Sequence, residues 1–222
     1  MPLYAELENR KTELIRKALE GSVFVAPVDA DPIASLTAYT AGPPITRDLA
    51  ALPEEWDDLG YLTEDGAAFA RDVSQDETTS YGSATPTRTD VTSDVTALTV
   101  VCQETKLLTI GMATGADLAA AAPAAQTGEV RINKPTRPKG KHYRAMSLAV
   151  DLADGGEVYI ARFLPRAKVS NYAEQSHNGG VVTWGVTLTG EVDGDLGYSE
   201  SWIFGGPGWF AMLEDMGFDA PA

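Results

Sequence analysis

The sequence of 222 residues predicts a mainly β (α+β) fold: an antiparallel β-sandwich or open barrel with a flanking short helix, an N-terminal helix and extended arms. Residues 181–193 alternate between apolar and polar side chains, as a half-buried strand does. Thr, Val and Tyr recur in runs from Gly60 onward, which favours further strands. Because no internal repeat or linker divides the chain, we expect one domain over 1–222. Its N-terminal helix and arm would occupy 1–59, and its β core with an apolar C-terminal segment would occupy 60–222.

The N-terminal part predicts one helix and one arm. Residues 3–20 have the apolar spacing of an amphipathic helix, which Gly21 would end. Prolines recur from 27 to 53 and interrupt regular structure, so this stretch predicts an extended arm with short strand pieces at 23–25 and 36–39. An arm of this length covers its own domain or reaches a neighbouring subunit.

The β core predicts strands in chain order, with one short helix among them. Residues 75–89 are long, polar and without a core pattern, which indicates an exposed loop or hairpin tip. Residues 114–125 read as a short helix, and Asp154-Gly155-Gly156 is a strong hairpin signal. The strand-like runs are 60–74, 90–112, 143–152, 156–170 and 181–193.

Composition argues against two kinds of partner. The formal net charge of −15 opposes a surface that grips phosphate groups, because nucleic-acid binders display clustered cations. Residues 1–21 lack the cationic start and apolar block of a signal peptide, and no apolar run approaches ~20 residues. We therefore expect a protein that neither holds nucleic acid nor spans a membrane.

The sequence also lacks the motifs of a reactive centre. His142 and His177 have no metal-ligand spacing, and Cys102 lies in an apolar run that predicts a buried thiol. Carboxylate pairs such as Asp193 and Asp195 lack the spacing of a calcium loop and predict exposed acids. We expect no enzyme, no cofactor and no metal.

Two features favour self-assembly. Charge is segregated: residues 54–77 hold nine acids opposed only by Arg71, whereas nine of the seventeen cations lie in 131–168. Such patches set the register of contacts between copies. The C-terminal residues 197–222 are rich in Trp, Phe and Met. Because monomers rarely expose large apolar patches, this segment predicts cover by its own core or by another subunit.

Five stretches carry a family resemblance over nearly the whole chain. In order they are "DLGYLTEDG" (58–66), "SYGSATPTRTDVTSDVTALTVVCQETK" (80–106), "GEVRINKPTRP" (128–138), "EVYIARFLPRAKVS" (157–170) and "LGYSESWIFGGPGW" (196–209). Together they resemble the major tail protein, or tail tube protein, of long-tailed (siphovirus-type) bacteriophages, particularly those of actinobacterial hosts. The combination is far more specific than any one stretch.

The resemblance implies a tail-tube-like β-sandwich that assembles into hexameric rings. Inner sheets of the copies would join into one β-barrel, and rings would stack around a tape-measure protein to form a tube that conducts genome DNA. DNA carries about one negative charge per ~1.7 Å of axis, so a hydroxyl and acidic wall leaves it hydrated and repelled. The polar side of 181–193 would face this lumen, through Thr183, Thr187, Thr189, Glu191 and Asp193.

By the same resemblance, we assign the Pro-rich arm, residues 75–90 and the N-terminal helix to contacts within and between rings. The basic run 131–144 would meet an acidic stretch such as 54–65 of a neighbour. Partners would be other copies, the tape-measure, tail terminator and distal tail proteins, with DNA passing unbound and no membrane. Assembly would occur in the host cytoplasm, and the product would be the virion tail. The contact candidates are Glu54, Glu55, Asp57, Asp58, Glu77, Tyr81, Arg88, Arg131, Lys134, Arg137, Lys139 and Lys141.

Three alternatives stay open at this point. Another β-rich virion protein, a tail terminator or capsid decoration protein, would cap an assembly instead of polymerising. A carbohydrate-binding sandwich requires exposed aromatic side chains, such as a solvent-accessible Trp184 or Trp202. An enzyme would depend on His142 or His177.

Overall fold

The protein is mainly antiparallel β-structure, which confirms the predicted fold class. The computed structural model describes residues 3–118, 121–137 and 140–219. The strands are β1 (Glu20–Pro27), β2 (Thr37–Thr40), β3 (Thr46–Leu49), β4 (Asp57–Asp58), β5 (Leu62–Thr78), β6 (Arg88–Cys102), β7 (His142–Ala153), β8 (Gly156–Tyr172), β9 (Trp184–Gly190) and β10 (Ser201–Gly205). The helices are α1 (Tyr4–Leu7), α2 (Leu107–Thr114), α3 (Pro207–Ala211) and α4 (Leu213–Met216).

One sheet of eight strands dominates the fold, in the order β4-β1-β7-β8-β9-β6-β5, with β10 against β8. Strands β2 and β3 form a separate pair. The long strand β8 has two neighbours along one edge: its residues 159–163 pair with β10, and 167–172 pair with β9. The sheet curves on itself, because Val23 of β1 packs in the same core as Leu98 of β6. A strongly curved antiparallel sheet of this kind is consistent with the predicted sandwich or open barrel.

The first core fills the concave side of this sheet, where strands from both halves meet α2. Cys102 is buried in it, as predicted, and desolvation raises the pKa of its thiol to about 11. The residues of the first core are Val23, Val25, Leu59, Leu98, Val100, Cys102, Met112, Tyr143, Ala145, Leu164, Ala167, Val186 and Leu188.

The second core lies on the other side of the sheet, under the Pro-rich arm. Side chains alternate across β7, so Ala145 belongs to the first core and Met146 to the second. Trp56 of the arm lies against Phe163 of β8, with ring centroids 5.9 Å apart. Much of the arm therefore covers its own domain. The residues of the second core are Ala26, Ala30, Ile33, Leu36, Trp56, Met146, Leu148, Tyr159, Ala161 and Phe163.

The prediction of a helix over residues 3–20 is wrong. Only Tyr4–Leu7 is α-helical, Thr12–Leu14 forms a 3-10 turn, and β1 already starts at Glu20. The backbone N–H of Lys17 donates to the Asp151 carboxylate (3.0 Å), and that of Leu19 donates to the Val150 carbonyl (3.0 Å). These bonds to β7 take backbone groups that a helix would need. Tertiary pairing thus overrides a helical pattern that is marginal by itself.

The prediction of a helix over 114–125 is also wrong, because the helix lies one segment earlier. Helix α2 occupies Leu107–Thr114, within the run that read as strand up to Met112. It ends at Gly115, whose left-handed backbone (φ 63°) closes the last turn through an N–H bond to the Gly111 carbonyl. Residues 116–118 and 121–125 are not helical, and 119–120 lie outside the described residues.

The hairpins and the short strands of the arm are confirmed. Asp154-Gly155-Gly156 joins β7 to β8, and the polar stretch 75–89 contains the tip between β5 and β6. The predicted strand pieces at 23–25 and 36–39 lie within β1 and largely within β2. Strand β1 belongs to the main sheet, so the N-terminal part contributes to the core. Helices in the described ranges are too short to cross a membrane.

Candidate channel face and assembly surfaces

The polar side of β9 belongs to a face that spans four strands. Thr187 lies opposite Thr99 of β6, and Thr189 lies opposite Ala97 of β6 and Lys168 of β8. Side chains at opposed positions share one face of a sheet. This face is turned away from the first core, which takes Val186 and Leu188 from the same strand. Ser170 lies in a bulge of β8 and joins this face through its hydrogen bond with Thr189. We call it the hydroxyl face: Ala68, Ala70, Ala97, Thr99, Lys168, Ser170, Thr187 and Thr189.

Hydroxyl groups on this face bond to one another. The Oγ1 atoms of Thr99 and Thr187 are 3.0 Å apart, and Thr189 Oγ1 donates to Ser170 Oγ at 2.6 Å. Ser170 Oγ donates in turn to the Thr187 carbonyl at 3.3 Å. Lys168 is the charged member, and its stem lies over Gly140 at the margin of the face. The centre of the face is therefore small, polar and neutral.

The structure distributes four of the five predicted lumen residues over this face and its rim. Thr187 and Thr189 lie at its centre. Thr183 precedes β9 and is half-buried, with its carbonyl accepting a bond from Gln175 Nε2 (2.8 Å). Glu191 follows β9 and lies within 2.9 Å of His142 Nε2 and 3.3 Å of Arg166 Nε. Its carboxylate is thus matched by cationic or hydrogen-bonding partners.

Asp193 requires a correction, because it is buried and not on the exposed side of a strand. Strand β9 ends at Gly190, so the alternation no longer sets the direction of residue 193. The carboxylate accepts bonds from the N–H groups of Leu196 and Asp195 (both 3.0 Å) and lies 3.3 Å from Arg144 Nη1. These bonds, with the charge of Arg144, hold the pKa of Asp193 below its usual range. Asp193 therefore anchors a loop.

A two-stranded ribbon projects from the sheet. Pairing between β6 and β9 ends at Ala97, so residues 88–96 of β6 pair only with β5. We call residues 71–95, including the turn at 79–87, the ribbon. Its side chains are exposed except for half-buried Val95. Arg71 pairs with Asp94 across the strands, and its hydrogen bond lowers the pKa of Asp94. An isolated two-stranded ribbon is marginally stable in water, which favours a binding partner for it.

Three of the predicted contact residues lie on the ribbon. Tyr81 is fully exposed in the turn, and Glu77 and Arg88 flank it. Arg88 forms an ion pair with Asp90 at 2.6 Å. Val73 and Val91 add exposed apolar side chains. The ribbon therefore offers both charged and apolar groups to a neighbour.

Two strand edges that border the hydroxyl face are open. Among the strand pairings of the described residues, β5 pairs only with β6, and residues 169–172 of β8 pair only with β9. Each consecutive pair from β5 to β8 across the face is antiparallel, so β5 and β8 run in opposite directions. Open edges present unpaired N–H and carbonyl groups that accept a strand of another chain.

The two predicted charge patches are both exposed. Glu54 and Glu55 lie in the turn before β4, and Asp57 and Asp58 form β4 at the other end of the sheet. Among the described residues no ion pair joins these acids to the basic run 131–144. Both patches thus remain available. The exposed cations of the basic run are Arg131, Lys134, Arg137 and Lys141, and Lys139 lies outside the described residues.

A cleft of about 820 Å³ lies beside the basic run, between α2 and the paired ends of β7 and β8. Arg137, Lys141 and Lys168 line it together with Tyr143 and Tyr172. Tyr143 is buried, which raises the pKa of its hydroxyl to about 12. The described residues of the cleft include three cations and one acid, Asp117, so their net positive charge fits an acidic partner.

The C-terminal apolar segment forms a row of aromatic rings, which its own core covers only in part. Ring centroids are 6.3 Å apart for Trp202 and Phe204, 4.7 Å for Phe204 and Trp209, and 6.1 Å for Trp209 and Phe218. Trp202 is 56% exposed, which meets the condition set for a carbohydrate-binding sandwich. However, the Arg162 guanidinium lies 4.1 Å from its ring centroid and Phe204 stacks beside it. A sugar ring would need a free aromatic face.

The histidines do not form a metal centre. His177 is exposed in the loop before β9, and His142 contacts Glu191. Among the described residues, no group of three or more His, Cys, Asp or Glu side chains is placed to hold a metal ion.

Sequence reasoning found only Thr187 and Thr189 of the eight residues of the hydroxyl face and missed the other six. Ala97 and Thr99 alternate with Leu98 and Val100, so the same period of two that identified β9 could have located β6 residues. The pairing of these strands across 88 residues of sequence has no local signal.

The fold and its surfaces define a class of protein: a β-rich subunit with open strand edges, a projecting ribbon and a neutral face. A family model described as phage tail tube protein matches residues 9–203. The chain belongs to the phage tail tube protein family. It is a structural protein of the virion tail, not an enzyme, and the family self-assembles into a tube with other tail proteins. A search of curated proteins finds no match.

Proposed function

We propose that the hydroxyl face lines the lumen of a tail tube and that genome DNA passes over it during infection. The observation that carries this proposal is the four-stranded face, which has neutral hydroxyl groups at its centre and Lys168 at its margin and is bordered by two open edges of opposite direction. Copies placed edge to edge would extend the face around a closed ring. As the family resemblance implies, we take the ring to be hexameric.

A ring would close through pairing between the two open strand edges, that of β5 and that of residues 169–172 of β8. The outer edge of β5 in one copy pairs antiparallel with residues 169–172 of β8 in the next copy. The contact is head to tail, since it joins different edges, and such contacts close into rings. Closure removes edges that would otherwise template aggregation.

The wall of the lumen would interact only weakly with DNA. The centre of the hydroxyl face is neutral, whereas the sequence led us to expect a wall with acidic side chains. At the centre of the wall, threonine and serine hydroxyls that bond to one another keep water bound and present no cation to phosphate groups, and Lys168 at the margin is the one cation of the face. Glu191 and Asp193 are held in pairs with His142 or Arg166 and with Arg144, respectively. The net charge of −15 per chain supplies repulsion at longer range.

Contacts between rings and subunits would use the remaining surfaces. The ribbon reaches a copy in the next ring, and the basic cleft receives an acidic stretch, such as that of Glu54 to Asp58, from a neighbour. The tape-measure, tail terminator and distal tail proteins would complete the tail, assembled in the host cytoplasm of a long-tailed phage.

Lysines placed on the hydroxyl face test the lumen assignment. We expect the double variant Thr187→Lys and Thr189→Lys to form tails but to slow DNA passage, because cations two residues apart attract phosphate groups. The matched control is Ala38→Lys with Thr40→Lys, the same spacing on exposed β2. Complementation of a tail-protein-deficient phage, with particle counts by electron microscopy and infectivity by plaque assay, measures the effect. Normal infectivity of the first variant would contradict the lumen assignment.

A further inference from the structure

Arg162 of β8 stands in an unusual setting at the open end of the first core. Its guanidinium lies between two aromatic rings, 3.7 Å from the centroid of Phe69 and 4.1 Å from that of Trp202. Arg162 Nε donates to Glu200 Oε1 at 2.6 Å, and Glu200 Oε2 accepts a bond from Thr96 Oγ1 at 2.8 Å. The Arg162 and Glu200 side chains are only 17% and 14% exposed. We call these five residues the Arg162 cluster.

The cluster joins the base of the ribbon to β8 and to the start of β10. Phe69 and Thr96 lie on β5 and β6 at the base of the ribbon, next to Ala97, the last β6 residue paired with β9. Arg162, Glu200 and Trp202 belong to β8 and to the segment that enters β10. The cluster therefore contacts both ribbon strands where they leave the sheet.

Arginine chemistry suits this position. A planar guanidinium stacks on aromatic rings with both faces while its edge donates to a carboxylate, and a lysine ammonium cannot do both. The Arg71–Asp94 pair joins the two ribbon strands to each other, and the Glu200 carboxylate of the cluster also acts on Arg71, since its charge helps to raise the pKa of that guanidinium. The Arg162 cluster therefore holds both ribbon strands at the point where they leave the sheet.

We propose that the Arg162 cluster fixes the direction in which the ribbon leaves the subunit and so preorganises it for docking. Arg162 is a positioning residue in this role. The proposal rests on the proposed function only in that the docking partner is a second copy of this chain. A ribbon free to swing would lose conformational freedom on docking and bind more weakly.

Amide hydrogen exchange of the full-length protein tests the positioning directly. Arg162→Lys keeps a cation for Glu200 but loses the stacking, and Arg166→Lys is the same change on the same strand away from the ribbon. We expect R162K to speed exchange in residues 71–78 and 88–95 by about tenfold, with residues 97–101 unchanged and R166K equal to wild type. Equally faster exchange in the ribbon strands and in residues 97–101 would overturn the proposal, because Arg162 would then contribute only to general stability. Unchanged exchange in the ribbon would overturn it as well.

Tube formation separates this proposal from the function that it builds on. A variant with residues 74–93 replaced by Asn-Gly joins the paired residues Val73 and Asp94 in register, keeps the cluster and lacks the rest of the ribbon. We expect this variant to form no stacked tubes by electron microscopy, and R162K to form them more slowly than R166K. Tubes of normal length from the deletion variant would contradict a docking role for the ribbon. The hydrogen-exchange result tests the positioning role of Arg162 independently of tube formation.

Discussion

At the scale of single residues, polarity proves to be an ambiguous signal. Thr187 and Asp193 both continue the polar side of one alternating stretch, yet Thr187 lies on the hydroxyl face and Asp193 is buried against Arg144. The partner is 49 positions away and carries its own hydrogen bonds to the Ala30 and Pro165 carbonyls. The local sequence does not predict such a pair, because whether a charged side chain is buried depends on the long-range contacts that compensate its charge.

Replacing Asp193 tests the structural role assigned to it. Asp193→Asn keeps acceptor capacity for the Leu196 N–H but leaves buried Arg144 without a counter-charge, so we expect a loss of about 3 kcal/mol in the free energy of unfolding. Urea unfolding at neutral pH measures it. The control is Asp195→Asn on the exposed neighbour, which we expect to be near neutral. Equal effects of both changes would contradict the buried anchor.

The same pair predicts a pH dependence. The folded-state pKa of Asp193 is lowered, so its contribution is fully present above the unfolded value of about 4 and is lost as pH falls through the folded value. We expect the stability difference between wild type and D193N to shrink over that acid range. A difference that stays constant with pH would exclude the ionised carboxylate as its source.

At the scale of elements, the sequence predicts strands and hairpins well and helices poorly. Alternation and the Asp154-Gly155-Gly156 turn are local features, and the structure confirms the strands that they predict. The apolar spacing of residues 3–20 is equally local, but the edge of β7 captures the backbone of Lys17 and Leu19. Competition from a neighbouring strand is a tertiary effect that periodicity does not contain. The helix predicted over 114–125 includes Gly115, whose left-handed backbone in fact ends α2.

The role of Gly115 in ending α2 is testable. Gly115 holds a left-handed conformation that a Cβ disfavours, so we expect Gly115→Ala to lower the free energy of unfolding by about 1 kcal/mol. Gly42→Ala is the matched control, because nothing lies within 4 Å of an added Cβ there and its φ is not in the left-handed range. Thermal and urea unfolding compare the two. A neutral G115A would show that the turn relaxes without the glycine.

At the scale of the whole molecule, assembly accounts for features that a monomer leaves unexplained. Several surfaces of the subunit are suited to binding further chains. They are the open edges of β5 and β8, the exposed ribbon, the separated charge patches and the partly covered aromatic row. The chain belongs to the tail tube family, which self-assembles into a tube with other tail proteins. The arm, in contrast, proved to cover its own sheet, since Ile33, Leu36 and Trp56 are buried there.

A cryo-electron microscopy map of tubes assembled from this protein tests the central claim most directly. We predict that β5 of each subunit pairs with residues 169–172 of the next, and that Thr99, Thr187 and Thr189 point to the tube axis. A map with these threonines on the outer wall, or sealed between subunits, would contradict the account.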